Sequence, residues 1–424
     1  MCWIWHILYN TIVVPGMLLV ARLGELVSPK LRRRRALLHQ QRFHLENRAS
    51  NGAVWFHAAS MGELEQIKPL IRLARLRWPT LQIVLTVFSP SAWREHHDIE
   101  VDTMMVLPYD VLPTMRKIVE AIAPRLVIFS RYDVWWNFAH VLASRNIPAV
   151  IVNATAPTSR RMLVARSFFR CLYSTAALII ARAERHRVWL ESLGLTSPIV
   201  TMPDSRIDQL LERRRREKDT FPPFLEPSKF RIILGSTWMP DLQLWAEAWT
   251  RVDQRVRGTV QLVIVPHEPT PKQCNQVLHL FHDAVLLSQA DKLPTPPPVV
   301  VVDRVGMLAA LYTYALAAYV GGGFGAGVHS LLEPAVAGIP IACGPRIERS
   351  DDAQELLAYG ALRIVHSADD VSRWMEQLQT HAELRECARC YSEHLLASEG
   401  VSSRMLELIE RSMQLQGVLF DTTG

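Results

Sequence analysis

No Gly-Lys-Ser or Gly-Lys-Thr occurs in this chain of 424 residues, which excludes a P-loop and its grip on a nucleoside triphosphate. No Asp-x-Asp pair stands in any loop, so neither a metal clamp nor a cofactor is expected. Cysteine is scarce: six residues, dispersed except for Cys387 and Cys390 in a helical-looking stretch with no second pair beside it. They read as ordinary thiols of a reducing compartment. Basic residues outnumber acidic ones by only 47 to 41, and no basic stripe is interleaved with aromatics. That argues against a nucleic-acid partner and for an anionic lipid or a phosphorylated substrate. Charge is missing altogether from Cys2 to Ala21, where Trp3, Trp5 and Tyr9 cluster, and a basic run from Lys30 to Arg35 follows. An apolar segment followed by positive charge reads as a membrane anchor with the rest of the chain on the cytoplasmic side, not as a cleaved signal peptide. His6, Asn10 and Pro15 interrupt the segment, so a span, a shallow monotopic anchor and a buried amphipathic helix all stay open.

The chain has ample apolar content, 49% of residues, arranged in two similar halves. From Ala53 to Val200, AVWFHA, LQIVLTV, MMVLP, RLVIFS, IPAVIV and AALIIA alternate with amphipathic segments such as the one bearing Leu64, Ile67, Leu70 and Ile71. The pattern restarts at Phe230 with FRIILG, VQLVIV, AVLL, VVVV, LAAYV, IPIA and LRIV. Such alternation predicts parallel sheets covered on both faces. We expect an α/β protein of GT-B architecture, with two Rossmann-like domains facing a cleft and an N-terminal anchor helix. The expected segments are an anchor (1–22), a first domain (23–211), a charged and proline-bearing linker (212–228), a second domain (229–400) and a C-terminal helix and tail (401–424) that packs back across the first half.

In open α/β sheets, ligands lie beyond the carboxyl ends of the strands, so the strand-to-helix loops are where chemistry is sought. The richest is GGGFGAGVHSLLE, Gly321 to Glu333, between an apolar strand and a helix opening at Ser330. Backbone amides there suit a phosphate, and Glu333 suits ribose hydroxyls; a tight turn that needs glycine for its backbone angles is the plainer alternative. The string fits a dinucleotide fingerprint formally, but the nearest acid lies too close, so NAD is rejected. In the first half, Ser60, Gly62 and Glu63 follow the first strand, where Glu63 is either a general base for a hydroxyl or simple helix-start chemistry. Arg131 and Asp133 follow the fourth strand, with Trp135 and Trp136 either stacking or packing. Arg206 either offsets charge on a departing phosphate or makes a surface salt bridge. In the second half, Ser236 and Thr237, then Pro266 and His267, follow strands, and Gly306, Met307 and Leu308 precede a helix.

These residues resemble the 3-deoxy-D-manno-octulosonic acid (Kdo) transferases of lipopolysaccharide synthesis. The resemblance covers nearly the whole chain and is most specific in HAASMGELEQIKPLI, IVNAT at Asn153, GSTW and GGGFGAGVHSLLEPAVAGIPIACGP. It implies a CMP-Kdo donor, a tetraacylated, bisphosphorylated lipid A precursor (lipid IVA) as acceptor, and an inner-membrane site on the cytoplasmic face. It also implies an inverting, metal-independent transfer in which Glu63 matches the general base and Arg206 a basic residue that stabilises the transition state. Contacts to CMP fall on Pro266 and His267, Gly306 to Leu308, and Ser330, Leu331, Leu332 and Glu333, with Gly323 and Gly325 in the glycine loop. The chain departs from the family pattern at three places. Arg131 stands for a carboxylate, Pro266-His267-Glu268 for Pro-Arg-His, and Ser330 for an asparagine. Two rivals are a GT-B transferase or epimerase using a UDP-sugar, and an inactive membrane-anchored nucleotide-binding protein. Oligomeric state is not legible in the sequence.

Overall fold

The structure, a computed structural model, describes residues 2–41, 52–93, 99–131, 133–157, 165–216, 222–290 and 292–415. The chain divides into two compact units, 1–209 together with 400–424, and 210–399.

The first unit holds a parallel sheet of seven strands: β1 (Ala53–Ala58), β2 (Gln82–Val87), β3 (Thr103–Val106), β4 (Pro124–Ser130), β5 (Ala149–Ala154), β6 (Leu178–Ala181) and β7 (Ile199–Thr201). Their order is β3-β2-β1-β4-β5-β6-β7. Continuous apolar runs suit a sheet covered on both faces, and all six residues of β1 are buried. Trp55 points into one layer with Val127 and Phe138, whereas Val54, Phe56 and Ala58 point into the other, against Leu64 and Ile67 of the helix Met61–Arg77. The second unit repeats the plan with β8 (Phe230–Thr237), β9 (Val260–Pro266), β10 (Ala284–Leu286), β11 (Val299–Val301), β12 (Ala317–Val320), β13 (Ile341–Cys343) and β14 (Leu362–Ile364), in the order β10-β11-β9-β8-β12-β13-β14. The expected apolar runs are all strands; β7, with three half-buried residues, was not among them.

In the first sheet the winding reverses between β1 and β4, in the second between β8 and β12. The loops leaving those neighbouring strands diverge there, which is where a doubly wound sheet opens a crevice for ligand.

Several local expectations need correction. Glu212 to Arg216, expected as the start of the linker, is the last part of the helix Arg206–Arg216, since arginine is a good helix former. Cys2 and Cys171 are not free thiols but a disulfide, with Cα atoms 5.5 Å apart across 169 residues of sequence. They meet because the N-terminal helix lies along the helix Arg166–Tyr173. Cys274, Cys343, Cys387 and Cys390 are free.

That N-terminal helix runs from Cys2 to Val27, with a π-turn at Tyr9–Val13 just before Pro15. The residues that interrupt its apolar sequence are its attachment points. Asn10 and Asn137 exchange amide hydrogen bonds of 2.8 and 3.0 Å, and the Trp136 indole donates to His6 Nδ1 at 3.1 Å. Trp5 donates to Ser167 at 3.2 Å, and Tyr9 packs on Trp136 and Phe168. Trp5 and Tyr9 therefore pack against the first domain, whereas Trp3 is 67% exposed. The basic run continues into the helix Pro29–Gln41, where Arg34 is turned inward. Its guanidinium lies between Phe88 and Tyr109 and donates to the carbonyls of Phe88 and Leu107, so it is not available to headgroups. Two further basic residues that follow in sequence, Arg42 and Arg48, lie outside the described residues.

Candidate functional site

Polar loops gather at the switch point of each sheet. In the first domain, Ser60 and Glu63 form a reciprocal cap on the helix Met61–Arg77: the Ser60 amide donates to Glu63 Oε2 at 2.9 Å, and the Glu63 amide to Ser60 Oγ at 3.4 Å. Helix-start chemistry is thus present, and it fixes the carboxylate instead of competing with a chemical role. Glu63 is only 3% exposed and is hydrogen-bonded to Asp133. Burial, then the charge of Asp133, pushes the Glu63 carboxyl up to about 7, and burial raises Asp133 as well. Two carboxyl groups this close cannot both ionise readily, so they share a proton near neutral pH.

Around this pair lies a network the sequence reading largely missed. Asp204, 3% exposed, accepts from Arg206 Nη2 at 2.9 Å, Arg182 Nε at 3.2 Å and Gln66 Nε2 at 2.9 Å. Burial alone would raise its carboxyl, but the two guanidinium groups hold it well below the usual range. Arg206 therefore makes a buried ion pair, not a surface one. Asn153 donates to Ser205 Oγ at 2.8 Å, and Ser130 Oγ donates to the Glu63 carbonyl at 3.4 Å and to Gln66 Oε1 at 3.3 Å, which links the ends of β4 and β5 to the capped helix. Nothing in the spacing of Gln66, Arg182 and Asp204 announces that they meet. Gly62 sits at the exposed helix start with no close neighbour. Trp135 and Trp136 both pack, the first on Phe88 and the second on Phe168.

In the second domain, three expected loops come together. The His267 ring stacks on both Trp238 and His329, with centroids 4.7 and 4.3 Å away, and the Trp238 indole donates to His329 Nε2 at 2.8 Å. Burial, then His267, lowers His329 to about 4, so it is neutral and accepts that bond. Asp241, unforeseen in the sequence, ties the loops underneath: it accepts from the amides of Trp238 at 2.9 Å and Gly322 at 3.0 Å and from the Tyr319 hydroxyl at 2.7 Å. Pro266 ends β9, Thr237 accepts the His267 amide at 3.0 Å, and Leu308 and Tyr312 pack over Gly235.

The glycine loop departs from a simple anion cradle. The amides of Gly321, Gly322, Gly325, Gly327, Val328 and His329 are spent on holding the loop itself. Gly321 and Gly323 are needed for close approach, since a Cβ would lie 2.5 Å from the Ser236 carbonyl and 2.6 Å from Gly344 Cα. Ser330 is not the helix cap: the helix is only Leu332–Ala337, preceded by Leu331, and Ser330 is exposed. Proline at 334 and glycine at 338 confine it to less than two turns. Glu333 lines a small cavity with Arg213, Arg214 and Tyr312. Gly306 has φ of +88°, and Met307 occupies the position before the short helix Leu308–Tyr312 without a side-chain capping bond. No cluster of three or more potential metal ligands occurs among the described residues.

Among the described residues, three of the five non-glycine positions with positive φ are Arg131, Asn153 and Ser236, each at the carboxyl end of a strand beside these loops. Such backbone strain collects at functional sites.

Two doubly wound domains with polar switch-point loops define the GT-B class of fold. A UDP-GlcNAc 2-epimerase from Neisseria meningitidis, solved with UDP-GlcNAc bound, shares it with a TM-score of 0.61 at 14% identity over 84% of this chain and 99% of its own. Within that class, the chain is similar to the Kdo transferases. Residues 30–209 match the family described as 3-Deoxy-D-manno-octulosonic-acid transferase (kdotransferase). The 3-deoxy-D-manno-octulosonic acid transferase of Chlamydophila psittaci is 28% identical over 72% of this chain and 73% of its own, and that of Haemophilus influenzae 25% identical over 96% and 98%.

Proposed function

We propose that this protein transfers Kdo from CMP-Kdo to a phosphorylated lipid A precursor, lipid IVA, at the cytoplasmic face of the inner membrane. The buried Glu63–Asp133 pair carries the reading. A carboxylate near pKa 7 accepts a proton from a sugar hydroxyl far more readily than one near 4. In the reaction, Glu63 takes the acceptor's hydroxyl proton, the oxygen bonds to the anomeric carbon of Kdo, and the bond from that carbon to the CMP phosphate oxygen breaks with its electron pair leaving on CMP. One displacement inverts the anomeric configuration. Arg206, held by Asp204, places a permanent positive charge for the departing phosphate, and the reading needs no metal. The second domain binds CMP through the loops at Ser236, Thr237, Pro266, His267, Gly306 to Leu308, Gly323, Gly325 and Ser330 to Glu333, with Glu333 toward the ribose. The N-terminal helix brings the enzyme to a substrate whose acyl chains stay in the bilayer.

Incubating the purified protein with CMP-Kdo and lipid precursor, then separating products by chromatography, tests the activity. Glu63→Gln is expected to lower kcat by at least about 100-fold with an unchanged CMP-induced rise in Tm. Near wild-type turnover by that variant would remove Glu63 as the base. A rise in Tm with UDP and none with CMP would favour a UDP-sugar enzyme.

A further inference from the structure

The name of the proposed donor sugar states its chemistry: an ulosonic acid bears a carboxylate on its anomeric carbon. That carbon must come within bonding distance of a hydroxyl that Glu63 deprotonates, so the carboxylate must arrive beside Glu63. Two carboxyl groups already stand there, and a third anion needs a cation of its own.

Arg131 is placed for this. It follows β4 directly, and its amide donates to the Val152 carbonyl of β5 at 2.8 Å. Its neighbour Ser130 bonds the Glu63 carbonyl, so Arg131 leaves the sheet at the switch point beside the capped helix. Its φ of +61° turns the chain out of the strand direction, an unfavourable conformation for arginine. The guanidinium bears electrostatically on Glu63, Asp133 and His186. Yet its Nε is buried with no hydrogen-bond partner. Arg182 and Arg206 differ in this respect, because Asp204 satisfies both. A buried N–H without an acceptor costs stability unless a ligand completes it.

Resting on the Kdo-transfer reading, we propose that Arg131 is a specificity-determining residue that binds the carboxylate of the incoming sugar acid, through the planar fork guanidinium offers to carboxylates. With the donor bound, its carboxylate supplies the acceptor that the buried Arg131 Nε lacks.

The test compares two donors on the full-length protein, CMP-Kdo and its C1 carboxamide, with the same lipid acceptor. The wild type is expected to favour the carboxylate by about 10- to 100-fold in kcat/KM. Arg131→Gln should bring that ratio to within about threefold of unity, and Arg131→Lys, which keeps the charge but not the fork, should fall between. A purely structural role would lower both donors together and leave the ratio alone. An unchanged ratio in Arg131→Gln overturns the assignment; should that variant fail to fold, an unchanged ratio in Arg131→Lys does so. No transfer from CMP-Kdo by the wild type removes the functional reading and this assignment with it. Transfer with an unaltered ratio removes this assignment only.

Discussion

At Glu63 a single carboxyl couples the proposed proton transfer to stability. Its pKa rises on folding, so the folded protein binds the proton more tightly than the unfolded chain does. The resulting stability is present below about pH 4, where an unfolded glutamate titrates, and is lost as pH climbs through about 7. Glu63→Gln, which needs no ionisation, should therefore match the wild type near pH 4 and exceed it by roughly 2 kcal/mol at pH 8 in urea unfolding. The rate of transfer should rise with pH through about 7, and Asp133→Asn should move that midpoint down by removing the like charge. Asp204 shows the opposite sign. Its stabilising contribution holds above the ordinary carboxylate range and disappears as pH falls through its depressed value. Asp204→Ala removes the buried carboxylate that both Arg182 and Arg206 bind, a loss of about 3–5 kcal/mol by denaturant titration.

Among the elements, the helix Cys2–Val27 divides its surface between two tasks. One side is latched to the first domain by Asn10, His6, Trp5 and the Cys2–Cys171 disulfide. The other leaves Ile4, Ile12, Leu19, Val20, Leu23 and Val27 exposed. A helix held along one side by polar contacts and apolar along the other suits insertion from one leaflet better than an independent span. Replacing Ile12, Leu19 and Leu23 together by aspartate should abolish flotation with anionic vesicles while leaving Tm unchanged within a few degrees. Wild-type flotation should weaken at high salt, because Arg22, Arg32 and Arg35 border the adjoining cavity of about 1090 Å³. The apolar sequence was legible as membrane-seeking, since charge is absent from it. The latch was not, because asparagine and histidine in an apolar run look like defects until their partners 127 and 130 residues away are known.

For the whole molecule, the decisive long-range feature is the return of the chain's end to its beginning. The C-terminal helix Val401–Leu415 belongs to the first unit, where Val401, Met405, Leu406, Ile409 and Met413 are fully buried beneath the sheet. Its Glu410 receives the Trp78 indole at 2.8 Å and Arg77 Nε at 2.8 Å. Five such side chains at roughly 2 kcal/mol each contribute about 10 kcal/mol, comparable with the net stability of a domain. Truncation after Glu399 should unfold the first domain, read by loss of its cooperative transition, while CMP binding to the second survives. The sequence by itself determined the two parallel sheets, because strands buried on both faces must be continuously apolar and the intervening helices amphipathic. It also marked Glu63, Arg131, Asp133, Arg206 and the glycine loop, because each follows directly on a readable strand. Tertiary structure alone decided which of these are engaged. Strand order gathers the carboxyl ends of the parallel strands, so Gln66 and Arg182 reach Asp204 while Arg131 is left with an unsatisfied donor, and six amides of the glycine loop go to holding that loop in place. Contacts between residues far apart in the chain carry no local periodicity, and burial, which sets both hydrogen-bond partners and pKa, exists only once the layers have closed.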